Sequence, residues 1–442
     1  MTGNWSGFET YVKAMMEKEA IPGAAVAVSL HGETVYQQGF GVRSMATGEP
    51  VTPDTVFGIA SVTKSFTALA IMQLAEEGKL SLDDPVTKHL PGFKLRTSGG
   101  MRSDGIRVRH LLSHTAGVPP LRRREELRRF AEHLDYLASE EMELLGAPGE
   151  YFSYCNDTFL LLGAIIERLT GRPFRTAIAE RIMEPLQLSR STFSLEELAA
   201  WDNVSVPYVK RGGTRTLDEV PWPKLGNYEA GGGIRSTVRD LLKYGQIYVN
   251  DAGSSNGRSV ARSESLRQMR EPIHRIGRNV FYGCALRIIP DYSGVTLVEH
   301  GGGQPGVSSY FGFVPERGLV AAVLTNVANV PANELWLAAV NTALGFPLGQ
   351  KSSVEPTYEA SPEELLRLTG AYRSAEGGSV DIVLEGHSPV AVIDGKVFAL
   401  RASDDRTLVI AESGYPIQIF FKDEPKAWAA FYGSRMLKRV NE

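Results

Sequence analysis

A chain of 442 residues exceeds what one hydrophobic core usually organises, so two or three structural units are expected. Hydrophobic residues at 43% and charged residues at 22% are ordinary for a globular chain and exclude extended disorder. A net charge of -4 gives no global electrostatic reason to expect nucleic acid or an anionic membrane as partner.

In chain order, the N-terminal stretch MTGNWSGFETYVKAMMEKEA lacks a basic segment followed by an apolar run. The greasiest stretch, Phe159 to Ile166, stops at Glu167, so no membrane insertion and a cytoplasmic address are expected. GAAVAVSL and ETVYQQGFGV read as a β-hairpin turning at His31-Gly32. From Ser61 to about Gly283 the pattern is mainly helical. SVTKSFTALAIMQLAEEG ends at a glycine, and NDTFLLLGAIIERLTGRP opens on Asn-Asp and closes on Gly171 and Pro173. The basic run from Leu121 to Phe130 has mixed signs at helical spacing and reads as a solvated helix face.

Strand signals return at GVTLVEH, VSSYFGFV and GLVAAVLTNV. The fold class is therefore α+β: an antiparallel sheet built from both chain ends, flanked by helices, with a large helical insertion. Residues 1–345 form this unit, 346–364 form a linker rich in Pro, Ser and Gly, and 365–442 form a small β-barrel or sandwich of short runs. Cys155 and Cys284 do not make a disulfide framework, so reduced thiols are expected.

Ser61 and Lys64 stand three residues apart, which on a helix places hydroxyl and ammonium on one face, roughly 5–6 Å apart at Cβ. Phe66, Ala68, Leu69, Ile71 and Met72 make that helix apolar nearly all round, so the lysine is expected to be buried, where its charge is penalised. Lowering a lysine pKa from about 10.4 to near 7 takes on the order of 4.6 kcal/mol, within reach of burial plus a neighbouring positive field. An uncharged Lys64 can take the proton of Ser61. In PGEYFSYCNDTF an extended segment points Tyr154 and Asn156 to one side, although a core tyrosine beside an N-capping asparagine fits the same letters. A Tyr–Lys pair near a serine can share one proton in either direction. His300 closes a predicted strand, and the three glycines after it read as a loop whose bare backbone N–H groups a substrate can approach.

Taken together and in order, Ser61-Val-Thr-Lys64, Tyr154-Cys-Asn156 and His300-Gly-Gly302 resemble the three active-site motifs of the serine β-lactamase and penicillin-binding-protein superfamily. The class C-like branch, with its D-aminopeptidases and carboxylesterases, is the nearest pattern, and the resemblance runs from about Gly23 to Leu344. It implies Ser61 as nucleophile and Lys64 and Tyr154 as the proton-handling pair. Asn156, His300 and Gly302 then contact substrate, and the N–H groups of Ser61 and Gly303 form an oxyanion hole. His300 stands where penicillin-recognising members usually carry lysine, which weakens the grip on a free carboxylate. The resemblance thus implies a peptidase or amidase for small or D-amino-acid-containing peptides. A carboxylesterase with at most weak β-lactamase activity is the alternative, and a non-catalytic binding scaffold the second. The C-terminal unit resembles appended lipocalin-like domains, which implies a role either in assembling a homo-oligomer through it or in limiting access to the cleft.

Other chemistries fit less well. His110 and His114 lie four apart, but Leu111 occupies the place of the glutamate in the zinc-protease signature, so no metal and no cofactor are expected. No G-x-S-x-G surrounds Ser61, Ser308 or Ser309. Cys155 alternates in direction with Tyr154 and Asn156 and reads as a buried, inert thiol. EAGGGIRSTVRDLL reads as a cleft wall with Ser236 or Thr237 capping the helix that follows.

Overall fold

The two ends of the N-terminal unit meet side by side in one eight-stranded antiparallel sheet. The computed structural model describes residues 3–440 apart from 103–104, 251–253, 256–257 and 423–425. Helix α1 (Trp5–Glu19) leads into the hairpin β1 (Gly23–Leu30) and β2 (Glu33–Gly41). Its turn residues His31 and Gly32 both take positive φ, 49° and 87°, as a two-residue hairpin turn requires. The remaining strands are β3 (His274–Gly277), β4 (Val280–Tyr282), β5 (Arg287–Tyr292), β6 (Val295–Gln304), β7 (Val307–Val314) and β8 (Leu319–Thr325). Their order is β3-β4-β5-β6-β7-β8-β1-β2, with β1 paired to β8 from Ala24↔Thr325 to Leu30↔Leu319. Strands β7 and β8 are buried throughout, which is why they read as continuous apolar runs and not as alternating ones.

One face of the sheet is covered by a core that includes α2 (Thr63–Glu76), α3 (Asn156–Thr170) and α4 (Val238–Val249), with α4 lying directly against β1, β7 and β8. The other packs on α1 and α5 (Ala332–Leu344), where the buried Trp336 Nε1 donates to Ala321 O at 3.0 Å. Thr237 caps α4, accepting from Asp240 N at 3.1 Å, so of the two expected caps it is the threonine that serves.

Three expectations change. The run from Leu121 to Phe130 is not a helix face, because the helix begins only at Phe130 (Phe130–Ser139). Its backbone is committed elsewhere: Leu121 N donates to Asp157 Oδ2, Arg124 N to Tyr228 Oη, and Arg128 N and Arg129 N to Glu132. Those bonds outweigh ion pairs at helical spacing, worth only a few tenths of a kcal/mol each. Strands β3 and β4 fall inside the region read as helical, extending the sheet. The three glycines after His300 are not a loop either. They continue β6, with Gly301 opposite Tyr310, Gly302 opposite Ser309 and Gly303 opposite Ser308.

Residues 346–361 carry no helix or strand, and a short helix (Pro362–Leu368) begins inside the stretch read as linker, capped by Ser361 and Glu364. Beyond it eight strands close into a barrel: β9 (Gly370–Arg373), β10 (Ser379–Glu385), β11 (Ser388–Ile393), β12 (Lys396–Ala402), β13 (Thr407–Ile410), β14 (Pro416–Phe421), β15 (Ala427–Tyr432) and β16 (Arg435–Val440). Strand β16 pairs with both β15 and β9, closing the barrel and removing its edges. Barrel and N-terminal unit touch through Leu145, Ala429 and Met436, with Tyr151, Phe420, Trp428 and Phe431 around them.

Candidate active site

Ser61 lies in a single 3-10 turn, Ala60–Val62, that opens directly into α2. From Val62 to Leu74 every residue is buried, whereas Ser61 keeps partial access to solvent. Ala60 takes φ 44°, a left-handed conformation that costs an alanine about 1–2 kcal/mol. The turn is held from both sides. Ile59 N donates to Ile234 O at 3.0 Å, and Ser309 Oγ donates to Ile59 O at 2.8 Å.

Strand β6 runs hard against this turn. A Cβ at Gly302 would stand 2.3 Å from Ile59 O, 2.3 Å from Ser309 Oγ and 3.1 Å from the Ala60 Cβ, so only glycine fits. At Gly303 a Cβ would meet nothing within 4 Å, and the strand there faces open space.

Lys64 is fully buried, and its Nζ reaches three oxygens: Gly231 O at 2.8 Å, Asn156 Oδ1 at 2.9 Å and Ser61 Oγ at 3.2 Å. Burial, then the positive charge of Arg435, lowers its pKa to about 7, against smaller opposing effects of Cys155 and Glu376. Nζ also lies 4.9 Å from the centre of the Tyr154 ring. Burial raises the Tyr154 pKa above the usual phenol range, although Ser61 and Arg435 pull it down. Its hydroxyl is buried without a well-aligned hydrogen bond, lying close enough to Ser61 to feel that hydroxyl.

Asn156 is the first residue of α3, and the cap position falls on Cys155, so the asparagine is turned to the lysine instead of to its own helix. Cys155 points away toward Pro119 O and Asp157 Oδ2, and burial raises its pKa well above the ordinary thiol value. His300 is buried, and burial followed by the charge of Lys64 lowers its pKa to about 3. Its Nδ1 donates to Gly301 O at 2.6 Å, which leaves Nε2 to accept from Tyr282 Oη at 3.0 Å. Both ring nitrogens are thereby occupied within the protein.

The structure thus gathers Ser61, Lys64, Tyr154 and Asn156 around one amine, and threads Gly302 past the serine turn. Three participants were missed in the sequence. Gly231 O belongs to the glycine segment read only as cleft wall. His114, considered there only as a metal ligand, accepts from Cys155 N through Nδ1 at 3.1 Å and sets its ring 4.2 Å from that of Tyr154. Arg435 comes from the barrel. Its guanidinium carbon lies 4.7 Å from the Tyr154 ring centre, and Glu376 pairs with it at 2.8 Å. Among the described residues no cluster of three or more His, Cys, Asp or Glu could hold a metal ion, and no helix is long and apolar enough to cross a membrane.

A serine beside a buried lysine at the start of a helix, next to an antiparallel sheet with a helical face, defines a serine hydrolase of the β-lactamase/transpeptidase fold. Residues 8–344 match the family described as Beta-lactamase, and the chain belongs to that family. Penicillin-binding protein 4 of Amycolatopsis lactamdurans is 30% identical over 385 residues, 83% of this chain and 96% of that protein. The octameric penicillin-binding protein homologue from Pyrococcus abyssi superposes with a TM-score of 0.74 at 28% identity, covering 98% of this chain and 99% of its own. A D-stereospecific amidohydrolase from Streptomyces sp. superposes at 0.63 and 25% identity over 76% of this chain and 97% of its own.

Proposed function

We propose that this protein is a serine peptidase or amidase that forms an acyl-enzyme on Ser61 and acts on small or D-amino-acid-containing peptides. The observation that carries the reading is the hydrogen-bond arithmetic at Lys64. A neutral amine has two N–H groups and one lone pair. Gly231 O and Asn156 Oδ1 can only accept, so they take both hydrogens, and the lone pair is left for the Ser61 hydroxyl at 3.2 Å. With a pKa near 7, a large share of Lys64 is neutral at neutral pH and takes the serine proton as Oγ attacks a carbonyl carbon.

Tyr154 stays protonated and gives its proton to the departing nitrogen as the C–N bond breaks, and Lys64 returns a proton to the phenol. The N–H groups of Ser61 and Gly303 receive the oxyanion, an element worth about 2.7–4 kcal/mol per donor. The open space at Gly303 supports this placement. Asn156 contacts the substrate amide, and His300 and Gly302 line the floor beneath it. Water then attacks the acyl ester, giving the acid and restoring Ser61.

Amide substrates are favoured over β-lactams because His300 is held neutral with both nitrogens occupied, leaving no cation at that position for a free carboxylate. The amidohydrolase relative points the same way. Assembly through the barrel completes the reading, supported by the octameric homologue and by exposed Val383 and Val397 on the barrel wall. Light scattering of wild type against a Val383→Glu, Val397→Glu variant tests it.

Intact mass after a fluorophosphonate tests the chemistry: an adduct is expected on wild type and none on Ser61→Ala. Turnover of a D-alanine anilide above p-nitrophenyl butyrate and nitrocefin supports the amidase. Dominant ester turnover assigns a carboxylesterase instead. Absence of an adduct with any acylating probe makes the fold a binding scaffold and overturns the proposal.

A further inference from the structure

The turn between β15 and β16 is bonded into the active site on both sides of Arg435. Ser434 O accepts from Tyr154 N at 2.8 Å, and Met436 N donates to Ser153 Oγ at 3.1 Å. Arg435 is thereby carried to the Tyr154 ring, while Glu376, from the β9–β10 turn, grips it with Oε2 at 2.8 Å from Nε and Oε1 at 3.4 Å from Nη2. Burial disfavours the guanidinium charge, but Glu376 more than offsets it, and the arginine stays charged. The Lys64 Nζ and the Arg435 guanidinium carbon each stand within 5 Å of the same ring centre, so they lie within about 10 Å of each other.

We propose that Arg435 is a positioning residue of the catalytic centre, supplied by the barrel, which holds Tyr154 in place and whose charge acts across that ring on Lys64. The other titratable groups facing Lys64 are Tyr154 and Cys155 from the segment before α3, His114 from the HTAG segment and His300 from β6. Burial holds all four neutral at pH 7. Arg435 and Glu376 remain as the charged pair acting on the amine, the first lowering its proton affinity and the second raising it. The barrel is then part of the proton-transfer machinery: burial does most to lower the proton affinity of Lys64, and without the arginine a larger share of it would be protonated at neutral pH. This inference rests on Lys64 serving as the base proposed above.

At an effective dielectric near 20, a unit charge about 10 Å away moves a pKa by roughly one unit. The test is the pH profile of fluorophosphonate acylation in the full-length chain. For Arg435→Met the acidic limb, near pH 7 in wild type, is expected to move up by roughly one unit, costing about fivefold at pH 7 while the alkaline plateau is approached. Arg435→Lys, which keeps the charge, restores the limb toward wild type. Glu376→Gln moves it the other way, to lower pH. Limbs that stay in place, or that move in the same direction for Arg435→Met and Glu376→Gln, overturn the inference.

A purely structural arginine lowers rate at every pH and leaves the limb where it was. If wild type takes no adduct, the functional reading fails, but the inference is still decided by the pH at which Lys64 titrates. That pH is read from unfolding free energies with and without Lys64→Met, and Arg435→Met must raise it.

Discussion

Lys64 is a buried amine whose proton affinity in the folded chain lies near pH 7, against 10.5 for an ordinary lysine. Below pH 7 both states carry the proton, and folding bears the full cost of burying a charge. Between pH 7 and 10.5 only the unfolded chain binds it, so this residue makes stability rise with pH, by about 1.4 kcal/mol per unit. Above 10.5 the slope vanishes. The perturbation is Lys64→Met, which removes the titration. The variant also strips a donor from Gly231 O and Asn156 Oδ1, at about 1–3 kcal/mol each, but that cost does not depend on pH. The stability of wild type minus that of the variant should therefore climb by about 3–4 kcal/mol from pH 7 to pH 10. Guanidinium unfolding of both proteins at unit pH steps, followed by tryptophan fluorescence, measures the difference. A difference flat to within about 0.5 kcal/mol would mean that the amine is charged in the folded protein, and its role as base would fall with it.

Gly302→Ala pushes a Cβ to 2.3 Å from Ile59 O, so the serine turn must shift by the better part of an ångström, and acylation should slow about 100-fold. Gly349→Ala, in open space, is the matched control and should acylate at the wild-type rate. His114→Leu deletes the acceptor of Cys155 N, and chemical denaturation should show a loss of about 1–3 kcal/mol together with slower acylation. Burial raises the pKa of both thiols, that of Cys284 to about 12, so a thiol reagent at pH 8 should label neither in the native protein and both after denaturation.

The hairpin at His31-Gly32, the buried helix behind Ser61 and the apolar strands β7 and β8 were legible because local pattern and final structure agree there. So was the meeting of serine and lysine, since three residues on one helix share a face. The glycines after His300 misled because glycine weakens a strand by itself. Only the ladder to Tyr310, Ser309 and Ser308, which no local window displays, keeps them extended. Leu121 to Phe130 misled for the converse reason: a helical charge pattern lost to backbone hydrogen bonds donated to Asp157 and Tyr228, distant in sequence. The barrel strand that carries Arg435 escaped notice altogether. Arg435-Met-Leu-Lys-Arg-Val does not alternate, its two adjacent apolar residues being both buried, one toward the barrel core and one toward the hydrolase unit.

That pairing of Met436 and Leu437 explains why an arginine can be delivered so far from its own domain. Leu437 belongs to the barrel core and fixes the strand, while Met436 packs with Leu145 and Ala429 in the interface and fixes the strand to its neighbour. Arg435, immediately before both, inherits its position from two cores at once. Its long side chain then needs little further ordering to hold Glu376 and the Tyr154 ring. A loop could present the same charge, but its position would relax when the lysine titrates, and the influence on the amine would weaken as the reaction proceeds. Rooting the charge in a closed barrel keeps it fixed through every protonation state of the site.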